Sequence, residues 1–217
     1  MSAQTQTAIT DYWTRRAPAF DGVASHVAQA GLWRDVLEAA FEAEGPKDVV
    51  DFGTGTGACA LIAAGLGHRV KGFDGSGGML EIARRAAAAQ GLAVEFGQVL
   101  IENAPVEAAS VDIVTLRNVL WTLPEPMAAL DKAYRTLRGG GRVLVSDGLW
   151  DVAPQYRSTY AEEVSAGLPL HAGLTEQQAR AMLVEAGFAQ VRSWQHLFPA
   201  APYPGEVPMF VLSAIKV

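Results

Sequence analysis

The chain has 217 residues, a mass of 23.0 kDa and a formal net charge of −6. That length carries one domain with a sizeable core and leaves too little for a second. Half of the residues are hydrophobic and 18% are charged, which excludes general disorder; the lone cysteine, Cys59, excludes a disulfide framework and a multi-cysteine zinc site.

The acidic balance argues against long DNA or RNA as a partner. The opening MSAQTQTAITDYW has neither a basic start nor an apolar run, and no stretch reaches the ~18 apolar residues of a membrane span. The expectation is a soluble cytoplasmic protein with no membrane partner.

Residues 1–10 are expected to be a loose, flexible N-terminus ahead of one domain over 11–217. Leu32, Val36, Leu37, Ala40 and Phe41 fall at helical spacing, and Gly45-Pro46 ends that helix. DVVDF (48–52) reads as the first strand, and ACALIAAGLG as a small-residue helix after a glycine turn. HRVKGFD (68–74) is the second strand. Met79, Ile82, Ala83 and Ala86 then share a helical face that Gly91 ends. AVEFG (93–97) and VDIVTL (111–116) follow as the third and fourth strands.

Pro126 opens a helix with Met127, Leu130, Ala133, Tyr134 and Leu137 on one face. Gly139-Gly140-Gly141 breaks it, and RVLVSD (142–147) is the fifth strand. Residues 150–173 lose periodicity and are expected to cover the acceptor side. Thr175 starts a helix, with Gln178 placed for a capping box, Ala179, Met182, Leu183 and Ala186 inward, and Gly187 at its end. AQVRSWQHLF (189–198) and PMFVLSAIKV (208–217) are two closing strands, antiparallel and at one edge. The alternation predicts an α/β fold: a doubly wound, seven-stranded, mostly parallel sheet with an antiparallel C-terminal strand.

Val49-Val50-Asp51-Phe52-Gly53-Thr54-Gly55-Thr56-Gly57 joins a buried strand to a helix. Glycines there let the backbone approach a ligand, and the helix N-terminus offers free N–H groups. The spacing is G-x-G-x-G, whereas a dinucleotide fingerprint needs G-x-G-x-x-G. Asp51 stands where a carboxylate meets an ammonium group. Asp74 closes the second strand, where a carboxylate accepts from both hydroxyls of a ribose; a helix cap is its plainer role.

VVDFGTGTG followed by GFDGSGGML resembles the cofactor site of class I S-adenosylmethionine-dependent methyltransferases. The likeness continues through VDIVTLRNVLWTLPEP, LRGGGRVLVSDG and LTEQQARAMLVEAGFAQV, from about residue 12 to the end. It implies a Rossmann-like fold, S-adenosyl-L-methionine as cofactor and S-adenosyl-L-homocysteine as product; with no HExxH, no CxxC and no clustered acid–histidine spacing, no metal is expected. Gly53, Thr54, Gly55 and Gly57 would approach the methionine part, Asp51 would hold its amino group, and Asp74 the ribose hydroxyls. Gly75 and Ser76 would lie along the adenosine, with Met79 at the adenine. The family often has an acid after the third strand for the adenine amino group. Here Leu100 occupies that position, followed by Ile101 and Glu102. Arg117, Asn118 and Val119 would lie near the transferred methyl, and Tyr12, Trp13, Arg16 and Phe20 in an N-terminal lid over about 11–30.

Methyl transfer needs a base only if the acceptor arrives protonated. His171 and His26 are the candidates, with Asp147 and Tyr160 also possible by location. Tyr156, Tyr160 and Leu168 are candidates for the acceptor shell. His68, His196 and Cys59 read as structural. The expected partner is a small-molecule acceptor. Two other functions stay open: a non-catalytic module that binds S-adenosylmethionine, and a nicotinamide-dependent oxidoreductase.

Overall fold

The computed structural model describes residues 3–20, 30–150, 165, 167–198 and 207–217. Seven strands form one sheet in the order β3-β2-β1-β4-β5-β7-β6. They are β1 (Asp48–Phe52), β2 (Arg69–Asp74), β3 (Val94–Gln98), β4 (Val111–Arg117), β5 (Leu137–Gly148), β6 (Phe188–Ser193) and β7 (Met209–Lys216). β1 to β5 pair in parallel, and β7 runs antiparallel to both β5 and β6. The order reverses between β1 and β4, and in such sheets the crevice beyond the strand C-termini at that point takes ligands.

Helices α1 (Ala3–Phe20), α2 (Ala30–Phe41), α3 (Ala58–Gly65), α4 (Gly77–Ala89), α5 (Pro126–Thr136) and α6 (Glu176–Glu185) accompany the sheet. Both sheet faces are buried, so neighbouring residues of one strand feed different cores. Val49 and Leu144 pack with Trp33, Leu37 and Ala60 of α2 and α3. Val50, Val143 and Val145 pack with Leu130 and Ala133 of α5 and Leu183 of α6. The Thr175 capping box forms as expected: Gln178 N donates to Thr175 Oγ1 at 3.2 Å, and Thr175 N to Gln178 Oε1 at 2.8 Å.

Several boundaries differ from the sequence reading. Helix α1 begins at Ala3 and takes in residues read as loose, with Ile9 buried against Leu168. It docks on α4, where Thr14 Oγ1 and Ser76 Oγ lie 2.9 Å apart. The buried face of α4 is Met79, Leu80, Ala83 and Ala87, so Ile82 and Ala86 yield their places to Leu80 and Ala87. β5 starts at Leu137 and absorbs the three glycines, with Gly140 at φ 79° and a register shift against β4. β6 stops at Ser193, because Gln195–Leu197 turns into a 3-10 helix. Among the described residues no helix is long and apolar enough to cross a membrane.

Candidate functional site

The C-terminal ends of β1, β2 and β4 open into one cavity of about 250 Å³, roofed by α1. It is just smaller than the roughly 300–1,000 Å³ of drug-sized ligand pockets. The loop after β1 runs along its floor. Gly53 and Gly55 have φ of 65° and 56°, in the left-handed region that favours glycine. A Cβ on Gly53 would lie 2.3 Å from Val119 Cγ2. A Cβ on Gly55 would meet no protein atom within 4 Å, so bare backbone there faces open space.

Two carboxylates from adjacent strands hold this loop. Asp51, 2% exposed, accepts from Thr115 Oγ1 at 2.5 Å and from Thr54 Oγ1 at 2.6 Å. Asp74 accepts from Gly55 N at 2.9 Å and from Ser76 N at 2.8 Å. Burial pushes both carboxyls above the ordinary carboxylate range. The hydroxyls and the Arg117 charge oppose this at Asp51, and the two backbone N–H groups oppose it at Asp74. The Arg117 guanidinium lies 4.0 Å over the Trp33 ring. Asn118 adopts φ 54°, with its N–H donating to Ser146 O at 2.7 Å.

The cavity brings together Asp51, Gly53, Thr54, Gly55, Asp74, Gly75, Ser76, Met79, Leu100, Ile101, Arg117, Asn118 and Val119. Gly57 stands apart from it, because its φ of 92° turns the chain into α3 and its missing Cβ admits Ala83 and Leu61. Tyr12 and Arg16 do not line it either. They sit together at one flank of the lining face of α1, with the Arg16 guanidinium 5.7 Å from the Tyr12 ring centre. The face that does line the cavity carries Gln6, Ile9, Thr10, Trp13 and Phe20. Steps of three, four and seven residues mark that face, a signal the sequence offered.

Among the candidate bases, His171 is exposed outside the cavity, with Nδ1 3.1 Å from Leu168 O. His26, Tyr156 and Tyr160 lie outside the described residues. Asp147 is fully buried at the end of β5 and surrounded by donors: Trp150 Nε1 at 2.8 Å, Gly148 N at 2.9 Å and Trp121 N at 3.3 Å. Burial still pushes its pKa up to about 7. It does not line the cavity. Cys59 does, but burial pushes its thiol up to about 12, which leaves it a packing group. The β4–α5 segment Thr122, Leu123, Pro124 and Glu125 was not foreseen as cavity wall. It lies within the stretch VDIVTLRNVLWTLPEP that carries the likeness, and only the fold shows that it faces the cavity.

A family profile described as "Methyltransferase domain" matches residues 50–145. A demethylmenaquinone methyltransferase of Clavibacter sepedonicus is 31% identical over 150 residues, 69% of this chain and 61% of that protein. Another, from Paenarthrobacter aurescens, is 27% identical over 180 residues, 82% of this chain and 69% of that one. Over these stretches the chain is similar to methyltransferases, and its fold is the one found in class I S-adenosylmethionine-dependent enzymes.

A further relative extends the range. A ubiquinone/menaquinone biosynthesis C-methyltransferase of Rhizobium meliloti is 30% identical over 154 residues, 66% of this chain and 59% of that protein. The chain thus spans about six to seven tenths of these relatives. In solved structures the same fold recurs. Phosphoethanolamine N-methyltransferase 2 of Haemonchus contortus, in complex with S-adenosyl-L-methionine, superposes with a TM-score of 0.63 at 18% identity, over 84% of this chain and 51% of that one. The [4+2]-cyclase SpnF superposes at 0.64 with 20% identity, over 85% of this chain and 79% of that one. That the fold also serves a cyclase means the chemistry must be argued from the site.

Proposed function

We propose that the chain transfers a methyl group from S-adenosyl-L-methionine to a small-molecule acceptor by in-line displacement, releasing S-adenosyl-L-homocysteine. The observation that carries this reading is the pair of strand-tip carboxylates flanking bare glycine backbone in one cavity. Asp74 keeps acceptor capacity beyond its two loop amides for a ribose diol. Asp51 stands beside the loop for an ammonium group. The charged residues lining the cavity are Asp51, Asp74, Glu102, Glu125 and Arg117, an acidic balance. It favours a ligand that carries sulfonium and ammonium charges, and it opposes the pyrophosphate of a nicotinamide dinucleotide.

Bound there, S-adenosyl-L-methionine supplies an electrophilic methyl group whose sulfur leaves as a neutral thioether. The protein's work is placement and exclusion of water, with donor and acceptor held about 3–3.5 Å apart in line. The Gly53–Gly55 backbone and Val119 set the floor. Helix α1, pinned to α4 through Thr14 and Ser76, roofs the cavity. Leu100 and Ile101 offer apolar contact where the family often has an adenine-reading acid, with Glu102 beside them. The quinone-biosynthesis relatives support a small organic acceptor.

Calorimetry with S-adenosyl-L-methionine and S-adenosyl-L-homocysteine tests the reading, followed by mass spectrometry of an acceptor panel for a gain of one methyl. Tight binding of a nicotinamide dinucleotide without binding of either adenosyl compound would overturn it. Binding with no turnover on any acceptor would favour the non-catalytic module.

A further inference from the structure

Polar groups meet the cavity from two sides. Asp51, Asp74 and the glycine backbone form the floor described above. On the roof, four-residue steps set Gln6, Thr10 and Thr14 in one row of α1. Resting on the methyltransferase reading, we propose that this row, through the Gln6 carboxamide, reads the amino edge of the cofactor's adenine.

The row is anchored at its Thr14 end. Thr14 Oγ1 lies 2.9 Å from Ser76 Oγ, and Ser76 caps α4 by accepting from Met79 N at 3.2 Å. A Cβ on Gly78 would lie 3.1 Å from Thr14 O, and one on Gly75 would lie 3.4 Å from Thr10 Oγ1. Helix α1 therefore crosses directly over the β2–α4 turn. Leu100 Cδ2 would lie 3.0 Å from the same Gly75 Cβ, which brings Thr10 and the residues after β3 to one spot. Gln6 comes one turn further on, about 6 Å along the helix, half-buried and lining the cavity.

The chemistry of this end fits a purine base. Met79, Leu100 and Ile101 give the cavity apolar surface for the ring. Their side chains offer no partner to the amino group and nitrogens at the ring's edge, and such groups left unpaired in a closed site weaken binding. A carboxamide presents a donor and an acceptor side by side. That pattern complements an adenine edge, where an amino donor adjoins a ring-nitrogen acceptor. A carboxylate matches the donor alone. Thr122 and the two glutamates of the lining are less suited. Thr122 Oγ1 already donates to Val119 O at 2.6 Å, and Glu102 and Glu125 are exposed, where water competes for their oxygens. Gln6 is therefore a specificity-determining residue for the base, supplied by the roof rather than by a strand tip.

The test is a thermodynamic cycle measured by calorimetry on the full chain. The two ligands are S-adenosyl-L-homocysteine and its analogue carrying hydrogen in place of the adenine amino group. The unmutated chain should bind the amino compound about fivefold more tightly. In Gln6→Ala that preference should shrink to within about twofold, because the partner of the amino group is gone. Gln6→Glu keeps an acceptor and should keep the preference, and Glu102→Ala should leave it unchanged. Alanine favours helix, so Gln6→Ala should leave Tm unchanged. Lost preference at unchanged Tm separates reading the base from holding the roof. A preference that persists in Gln6→Ala, or vanishes in Glu102→Ala, overturns the inference while the methyltransferase reading stands. Equal affinity of the unmutated chain for both compounds does the same. Failure of the unmutated chain to bind S-adenosyl-L-homocysteine overturns the methyltransferase reading, and this inference falls with it.

Discussion

Asp74→Asn separates a ligand-holding role from a loop-holding one. The Asp74 carboxylate accepts from Gly55 N at 2.9 Å and from Ser76 N at 2.8 Å. Asparagine keeps one acceptor oxygen, so its amide nitrogen must face one of these N–H groups, donor against donor. A hydrogen bond to a charged acceptor contributes about 1.5–3 kcal/mol, and one such bond is lost. Removing a buried charge, one that burial already disfavours, recovers part of that loss. The net cost to the ligand-free chain is about 1–2 kcal/mol, or a Tm lower by roughly 2–8 °C at this size. For a bound ribose the loss is larger, because its hydroxyls lose a charged acceptor in a closed site. We expect S-adenosyl-L-homocysteine affinity to fall by about 1–3 kcal/mol, roughly 5- to 150-fold in Kd. Calorimetry at 25 °C measures this, with differential scanning fluorimetry alongside. A Kd within twofold of the unmutated chain, accompanied by the drop in Tm, would refute the reasoning and leave Asp74 as a loop clamp alone.

Gly53→Ala places a Cβ 2.3 Å from Val119 Cγ2 at a φ of 65°, so left-handed strain and overpacking add. Together they cost about 2–4 kcal/mol, read as a Tm lowered by roughly 4–16 °C; the companion Val119→Ala should recover part of it. Thr175→Ala removes the side-chain half of the α6 capping box, the hydroxyl that accepts from Gln178 N, and should cost about 1 kcal/mol, or roughly 2–4 °C in Tm. Asp147 has a pKa raised to about 7 in the folded chain against an ordinary 3.8. The folded state then holds a proton that the unfolded state has released, so this contribution to stability is present below pH 4 and is lost as pH rises through 7. The slope from one such group is at most about 1.4 kcal/mol per pH unit. Urea unfolding at pH 5 and pH 7 should show a smaller fall in Asp147→Asn than in the unmutated chain, and an equal fall would remove Asp147 as the source.

The strands were legible because parallel strands buried on both faces read as short apolar runs between turn signals, as DVVDF and RVLVSD do. The glycine loop and Asp74 were legible because their backbone demands are local. Less visible were features that depend on packing between distant segments. The face of α4 shifted to Leu80 and Ala87 because α1, helical from Ala3, docks across its start. Tyr12 and Arg16 looked like lid residues by type. A rotation of about 100° per residue sets Tyr12 about 100° and Arg16 about 60° round the helix from Trp13, to one side of the row that lines the cavity. Asp147 looked like a base by its strand-end position, yet Trp121 and Trp150 close over it and turn it into an acceptor for the wall.

Asp51 and Asp74 look alike in sequence, Asp74 directly before a glycine at the tip of β2 and Asp51 two residues before one near the tip of β1, but their partners divide the work. Both Asp51 oxygens are engaged by short hydroxyl contacts, from Thr54 in its own loop and Thr115 on β4. It therefore ties the loop across the switch point of the sheet. Asp74 takes backbone amides from Gly55 and from Ser76, at the start of α4. It ties the same loop to the neighbouring strand and helix. A glycine loop clamped from both sides does not need a ligand to reach its shape. Ligand binding then bears little of the ordering cost that a flexible glycine segment would otherwise impose. The freedom that lets Gly53 and Gly55 adopt left-handed backbone is thus spent in folding, and the space above Gly55 stays open.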